Sequence, residues 1–226
     1  MHRTIPVAIP NVERGKHDKD QRQLCLIEAA TQVFAEKGFD QATTREVAER
    51  AGCSEGLIHR YFGSKRGLLI AILDQKAETI AAEHADGLPV RDSVEAEIEQ
   101  LVSWAMDQYW ERREIMRVSV SQAAIDRDVG HTIGDRVNHV HVAFMAERLR
   151  AHQAAGRIAP DVDVDAVAMG ISGLNIAMGF FAQVAFDMDR ATCRRQAKEM
   201  ARVIARGLSV GEPDPAPVII ARAAEA

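Results

Sequence analysis

The chain has little of what usually marks an exported, metal-bound or catalytic protein. Its three cysteines, Cys25, Cys53 and Cys193, are odd in number and far apart, and no Cys-x-x-Cys pair occurs. That argues against a disulfide framework or a zinc site and fits reduced thiols in a cytoplasmic protein. No apolar run approaches the roughly 18 residues that cross a bilayer. The opening Met-His-Arg-Thr-Ile-Pro lacks the apolar stretch of a secretory signal. A cytoplasmic location without a membrane partner is therefore the expectation. Neither a phosphate-cradling loop nor a nucleophile elbow is present. His139 and His141 stand two apart, so a helix points them to different faces. Asp161, Asp163 and Asp165 imitate the start of a calcium loop, but Ala166 occupies the glycine position and Ser172 the closing glutamate position. The sequence thus predicts no enzyme, no metal and no cofactor. Runs of strand period are also missing, which points to an all-α chain.

What is there is a chain of 226 residues, 47% hydrophobic, enough for one large domain or two modest ones. The net charge of −5 is unevenly spread. Residues 1–68 hold 11 Lys/Arg against 9 Asp/Glu, and the remainder is acidic. A mildly basic head on an acidic body suits a protein that docks one end on phosphates.

Residues 42–65 carry most of the information. Thr43 can cap a short helix, with Glu46 three residues on completing a capping box. Val47, Ala48 and Ala51 give that helix a small apolar face. Gly52 can end it in the left-handed conformation. Ser54 can cap a second helix, in which Leu57, Ile58 and Phe62 offer anchors while Glu55, His59, Arg60 and Tyr61 point outward. A helix, a glycine turn and a second helix with a polar outer face is the helix-turn-helix arrangement, whose second helix enters the major groove. A preceding helix is expected over 20–37, with Leu24, Ile27, Ala30, Thr31 and Phe34 at helical spacing and Gly38 as its stop. Further helices are expected from Ser64 to about His84, from an Asp92/Glu95 cap to about 111, and over 113–125, 131–154, 163–186 and 190–208. Gly156 stops the 131–154 helix, and Asp163 caps the next.

The segments Ala29–Phe39, Ala42-Thr43-Thr44, Val47–Ser54 and Tyr61-Phe62-Gly63-Ser64-Lys65 together resemble the DNA-binding domain of tetracycline-repressor (TetR) family regulators. Residues 155–163 are similar to that family's connection into its penultimate helix. The resemblance implies an N-terminal three-helix helix-turn-helix domain plus a C-terminal helical ligand-binding and dimerisation domain, about nine helices in all. The corresponding division is a flexible basic arm over 1–18 (with Arg14 and Lys16), a DNA-binding domain over 19–66, a ligand-binding and dimerisation domain over 67–209, and a flexible tail over 210–226. The implied function is a sequence-specific transcriptional regulator, a repressor released from a palindromic double-stranded DNA operator by a small-molecule effector. The implied assembly is a homodimer. A helical DNA-binding or protein-interaction adaptor without an effector is the alternative.

The expected DNA-binding set is Thr43, Thr44, Arg45, Ser54, Glu55, Gly56, Leu57, His59, Arg60, Tyr61 and Lys65. Thr43 and Thr44 lie at a helix N-terminus, where free N–H groups favour a phosphate or serve only as a cap. Arg45 faces solvent and can reach backbone or base. Glu55 can accept from a cytosine amino group, Gly56 permits close approach, and Leu57 can touch a thymine methyl or belong to the core. His59 can donate to a purine N7 or a phosphate, and Arg60 can take guanine. Tyr61 and Lys65 match family positions that contact phosphate.

In the body, the resemblance places Trp104, Tyr109, Met116, His141, Phe144, Asn175 and Met178 on helices lining the effector pocket. Aromatic and methionine residues at such spacing also make ordinary core. Gly170, Gly173 and Gly179 are costly inside a helix, at about 1 kcal/mol per glycine relative to alanine, and Ala177 is a further small residue in this run. Close helix–helix approach offsets that cost, so Gly170, Gly173, Ala177 and Phe181 are expected at the dimer interface, with intrachain packing as the alternative.

Overall fold

A computed structural model describes residues 11–209, with side chains over 19–83 and 88–209. Among the described residues there are nine helices and no strand, as the sequence leads one to expect. Helices α1 to α6 are Asn11–Lys37, Thr44–Arg50, Glu55–Phe62, Lys65–Gly87, Val94–Glu111 and Arg113–Ile125. Helix α7 opens as Arg127–Thr132, widens into π geometry over Ile133–Asn138 and continues as His139–Ala154. Helix α8 runs Val164–Asn175 and then in π geometry over Ile176–Ala185, and α9 is Arg190–Leu208.

Helix α1 begins at Asn11, ahead of the expected start at Asp20. Its polar first turns were legible as a tail, yet no proline between Asn11 and Lys37 breaks a helix. The rest of the expected arm, residues 1–10, and the expected tail, residues 210–226, lie outside the described residues.

The head is built on one core. Leu26, Ala30, Val33 and Phe34 of α1 close on Val47 and Ala48 of α2, Ile58 of α3, and Leu68, Leu69 and Ile72 of α4. Ile27, Ala30 and Phe34 of the expected α1 stripe are buried, but Leu24 is 40% exposed and the fully buried Leu26 takes its place. Phe39 packs its ring edge-on against Phe34 at 5.4 Å. Val118 of α6 and Val129 of α7 belong to this same core, so the head is not insulated from the body. Helix α4 runs straight through the expected domain boundary at 66/67.

The body core lies among α5, α7, α8 and α9. Cys193, Ala197, Ala201 and Ala205 recur every four residues on α9, and this small-residue stripe lets α9 lie close along α5. Helix α5 is capped by Ser93, which accepts from the Ala96 N–H at 3.2 Å, rather than by Asp92. Asp163 caps α8 as expected, accepting from the N–H groups of Asp165 and Ala166.

Helix α8 corrects one sequence reading. By length and composition it could cross a bilayer, with 22 residues and a mean hydropathy of 1.5 in its most apolar window. Ser172, Asn175 and the glycines interrupt its apolar runs, which is why no unbroken stretch stands out. Gly179 explains one of its costly glycines: a Cβ there would come within 2.5 Å of the Tyr109 ring. Gly170 and Gly173 instead face open space, with nothing within 4 Å of a built Cβ.

Candidate nucleic-acid interface and ligand cavity

The capping box forms: Thr43 Oγ1 accepts from the Glu46 N–H at 3.2 Å, and Glu46 Oε2 accepts from the Thr43 N–H at 3.0 Å. Lys37 Nζ also donates to Glu46 at 2.6 Å. The Lys37 ammonium first, then the Thr43 N–H and the Thr43 side chain, hold the Glu46 carboxyl down to about 2. Gly52 takes φ +64°, and Gly63, after α3, takes φ +76°. Both are left-handed positions that favour glycine. They fix where α3 starts and ends.

Ser54 stands at the N-cap of α3 in extended conformation, but its side chain makes no capping bond. Its hydroxyl is exposed at the mouth of the helix, so its expected capping role is not realised. The cross-strut comes from elsewhere, as Thr44 Oγ1 donates to Glu55 Oε1 at 2.5 Å. That bond ties the first turn of α2 to the first turn of α3 and fixes the Glu55 carboxylate.

Glu55, Gly56, His59 and Arg60 are exposed on one face of α3, with Ile58 buried beneath. Arg60 makes no ion pair among the described residues. Leu57 is half-buried against the head core, which favours an anchoring part over a thymine contact. His59 Nδ1 lies 3.3 Å from the Gly63 carbonyl oxygen. An N–H is needed there, so in neutral His59 the outward Nε2 is an acceptor. It then suits an adenine or cytosine amino group, and donates to N7 or phosphate only when protonated.

Arg45 is exposed and paired with Glu49 at 2.9 Å, a loose surface pair that a phosphate can displace. Tyr61 is half-buried, edge-on to Phe62 at 6.2 Å. Lys65 departs most from expectation. Its Nζ donates to the carbonyls of Phe39 at 2.7 Å, Ala42 at 3.0 Å and Asp40 at 3.3 Å. All three of its protons therefore close the loop between α1 and α2. This lysine positions Thr43 and Thr44 instead of presenting a free ammonium to phosphate.

Between α4, α5, α6, α7 and α8 lies a cavity of about 340 Å³. Of the expected pocket residues, Trp104, Tyr109, Met116, His141 and Asn175 line it. Trp104 and His141 meet edge-on at 5.8 Å. Phe144 lies instead beside a small adjoining hollow of about 10 Å³, with the Arg148 guanidinium 5.3 Å from its ring centroid. Met178 packs on the body core, because Asn175 and Ile176 are the α8 residues that turn toward the cavity. Both π segments contribute walls, Ile133, Val137 and Asn138 from one and Ile176 from the other. Ser172 and Asn138 hydrogen-bond between these helices. Widened turns of this kind frequently occur at functional sites.

Sequence reading missed two groups. Lys76 and Arg112 line the cavity, and both looked like surface charges on helix patterns alone. Burial, with Arg112 nearby, lowers the Lys76 ammonium to about 8. Arg66, at the start of α4, binds Asp126 through Nε at 2.5 Å and Nη2 at 3.0 Å and also reaches Asp128. Asp126 in turn caps α7, accepting from the Val129 N–H at 3.2 Å. The Arg66 guanidinium holds the Asp126 carboxyl down to about 2.

A three-helix head with an exposed recognition helix, joined through shared core to a hollow helical body, defines a helix-turn-helix DNA-binding regulator. Residues 26–72 match the family model for bacterial regulatory proteins of the tetR family. The chain therefore carries the DNA-binding domain of that family. The regulator UidR of Escherichia coli (strain K12) is 24% identical over 139 residues, 61% of this chain and 69% of the relative. BetI of Rhizobium meliloti (strain 1021) is 38% identical over 93 residues, 39% of this chain and 44% of that protein. A TetR-family regulator from Rhodococcus sp. has the same fold, with a TM-score of 0.68, 19% identity, and coverage of 82% of this chain and 99% of that one. FadR of Bacillus subtilis, solved in complex with stearoyl-CoA, superposes at a TM-score of 0.66 with 16% identity, covering 82% and 98%.

Proposed function

We propose that the protein is a homodimeric repressor whose body cavity binds a small molecule and thereby releases a palindromic operator. The observation that carries this reading is that the cavity and the head share walls. Ile72, Ile133 and Val137 pack on the head core and also line the cavity, as does Thr31 of α1. A ligand that displaces these side chains shifts the head relative to the body, and by linkage the ligand and DNA weaken each other equally. The complex of FadR with stearoyl-CoA supports a ligand in a body of this shape.

Dimerisation is supported by one continuous face. Met169, Gly170, Gly173, Ala177 and Phe181 of α8 are exposed beside Met200 and Val203 of α9. Small residues permit close approach of two α8 copies, and Met169 and Phe181, 54% and 41% exposed, supply apolar area. A two-fold axis through this face presents two α3 helices to two half-sites. Each good base contact is worth roughly 1–3 kcal/mol of discrimination, so doubling them is what makes so short a helix specific. Thr43, Thr44, Arg45, Tyr61 and the α3 N-terminus would hold phosphate, with Glu55, His59 and Arg60 toward the bases. No enzymatic step forms part of this reading.

The test is to capture genomic fragments with the purified protein, sequence them, and repeat the selection with His59→Ala. An inverted repeat whose half-site preference changes in the variant is the expected result. A monomeric protein, or one without sequence preference at moderate salt, overturns the proposal.

A further inference from the structure

The charge lining the cavity is one-sided. Among the described residues, Lys76 and Arg112 are the only fully charged side chains on its wall, and no Asp or Glu is present there. Lys76 Nζ and Arg112 Nη1 are both cut off from solvent, and neither has a hydrogen-bond partner among the described residues. Glu83, outside the lining, is bound by Arg112 Nη2 and forms no ion pair with Lys76. Two cations against one carboxylate leave one positive charge uncompensated in a chain that is −5 overall. A buried cation without a partner is costly, and a fold retains one where something else supplies the counter-charge. The rest of the wall is apolar over Ile72, Ile80, Ile115, Val120 and Val137. Along α5, Arg112 and Trp104 are eight residues apart, about 12 Å at 1.5 Å per residue. The far end is neutral and polar, with Asn175 Oδ1 also unbonded.

We infer that the effector is an amphipathic monocarboxylate, its head held between Lys76 and Arg112 and its apolar body lying along α5 toward Trp104 and Asn175. This rests on the effector reading above and narrows it. A single negative charge neutralises the trio of Lys76, Arg112 and Glu83, whereas a dianion overshoots it. The volume limits the body: about 340 Å³ equals the space of on the order of eleven waters, near the lower end for small-molecule sites. Arg112 offers a planar donor and Lys76 a point charge, so the two can each take one carboxylate oxygen.

The experiment is a titration followed by tryptophan fluorescence, since Trp104 lines the cavity. The probes share one chain length: decanoate, decanamide, decylamine and decyl phosphate. Decanoate is expected to bind more tightly than decanamide by on the order of tenfold to a hundredfold, the range of a charged hydrogen bond. Decylamine should be weakest, and decyl phosphate should not exceed decanoate. In Lys76→Met the preference for decanoate over decanamide should collapse, while binding of decanamide persists. That persistence shows the variant is folded. Equal or tighter binding of the amide, amine or phosphate overturns the inference, as does an unchanged preference in Lys76→Met. If the amide or amine binds and releases the selected genomic fragments, the effector reading stands and only the carboxylate falls. If no probe binds and none releases DNA, both fall.

Discussion

Replacing Glu97 with methionine tests how the body is held together. Glu97 has 0% exposure and Arg148 8%. Glu97 Oε1 accepts from Arg148 Nε at 2.5 Å, and Oε2 accepts from the Arg91 N–H at 2.8 Å. The two terminal nitrogens of Arg148 donate to the carbonyls of Leu88 at 2.5 Å and Pro89 at 2.7 Å. His152, with 0% exposure, sets its Nε2 3.6 Å from Glu97 Oε2. One ion pair thus joins α5, α7 and the loop that follows α4. Removing Glu97 alone leaves the guanidinium buried with two carbonyls but no counter-charge, a loss of about 3–5 kcal/mol. In a chain of this size 1 kcal/mol moves the midpoint by roughly 2–4 °C, so Glu97→Met should lower it by about 6–20 °C. The double variant Glu97→Met/Arg148→Met removes both charges and keeps apolar volume. It should recover a large part of that loss, although the Leu88 carbonyl loses its donor and the Pro89 carbonyl keeps only that from Gln100. Thermal and urea unfolding by circular dichroism at one fixed protein concentration gives the comparison, since a dimer's midpoint depends on concentration. A single-variant cost under about 1 kcal/mol, or a double variant as unstable as the two singles summed, refutes the reasoning.

Three other outcomes are expected. For Lys76, burial brings the folded value to about 8, below the ordinary lysine value of 10.5. The unfolded chain therefore binds more protons between those values, and ligand-free stability on this account rises from about pH 8 to 10.5. Below pH 8 the burial cost is fully present. Lys76→Met should therefore stabilise the ligand-free protein at pH 7, by about 1–2 kcal/mol after allowing for partial solvation, and flatten the alkaline rise in thermal melts. A less stable variant counts against a strained lysine. Arg66→Met should return the Asp126 carboxyl from about 2 toward its ordinary range, read by NMR titration. In the parent, that carboxylate's contribution is present above the ordinary carboxylate pKa and fades as pH falls through about 2. The same variant should keep operator binding but blunt its response to ligand, and full response in a gel-shift titration would exclude Arg66 as the link. A Cβ at Gly173 meets no atom within 4 Å in one protomer, so Gly173→Glu should leave helicity unchanged while giving a monomer by light scattering. A dimer of unaltered mass would move the interface elsewhere.

The head was legible because its determinants are local. The Thr43/Glu46 box and the left-handed turn at Gly52 each lie within a few residues, and spacing alone reveals them. The sense of Lys65 was not legible, since its three acceptors lie 23 to 26 residues away, on a loop whose carbonyls converge only after folding. On α1 the expected Ile27, Ala30 and Phe34 are buried, whereas Leu24 gives way to Leu26 and Val33, because helical periodicity alone does not fix the edges of a buried stripe. In the body, apolar spacing marks which helices exist but not which face encloses a void. Trp104 and His141 read more readily as core from spacing, yet line the cavity, whereas Phe144 and Met178 pack on the core as that reading has it. Lys76 and Arg112 were invisible for a stronger reason. On a helix, a charged residue defaults to solvent, and only the convergence of α4 with the end of α5 removes that option. The residues that carry the ligand proposal are therefore those at which the local rule fails, and a local rule that fails inside a hollow, with no partner supplied by the chain, marks where a second molecule belongs.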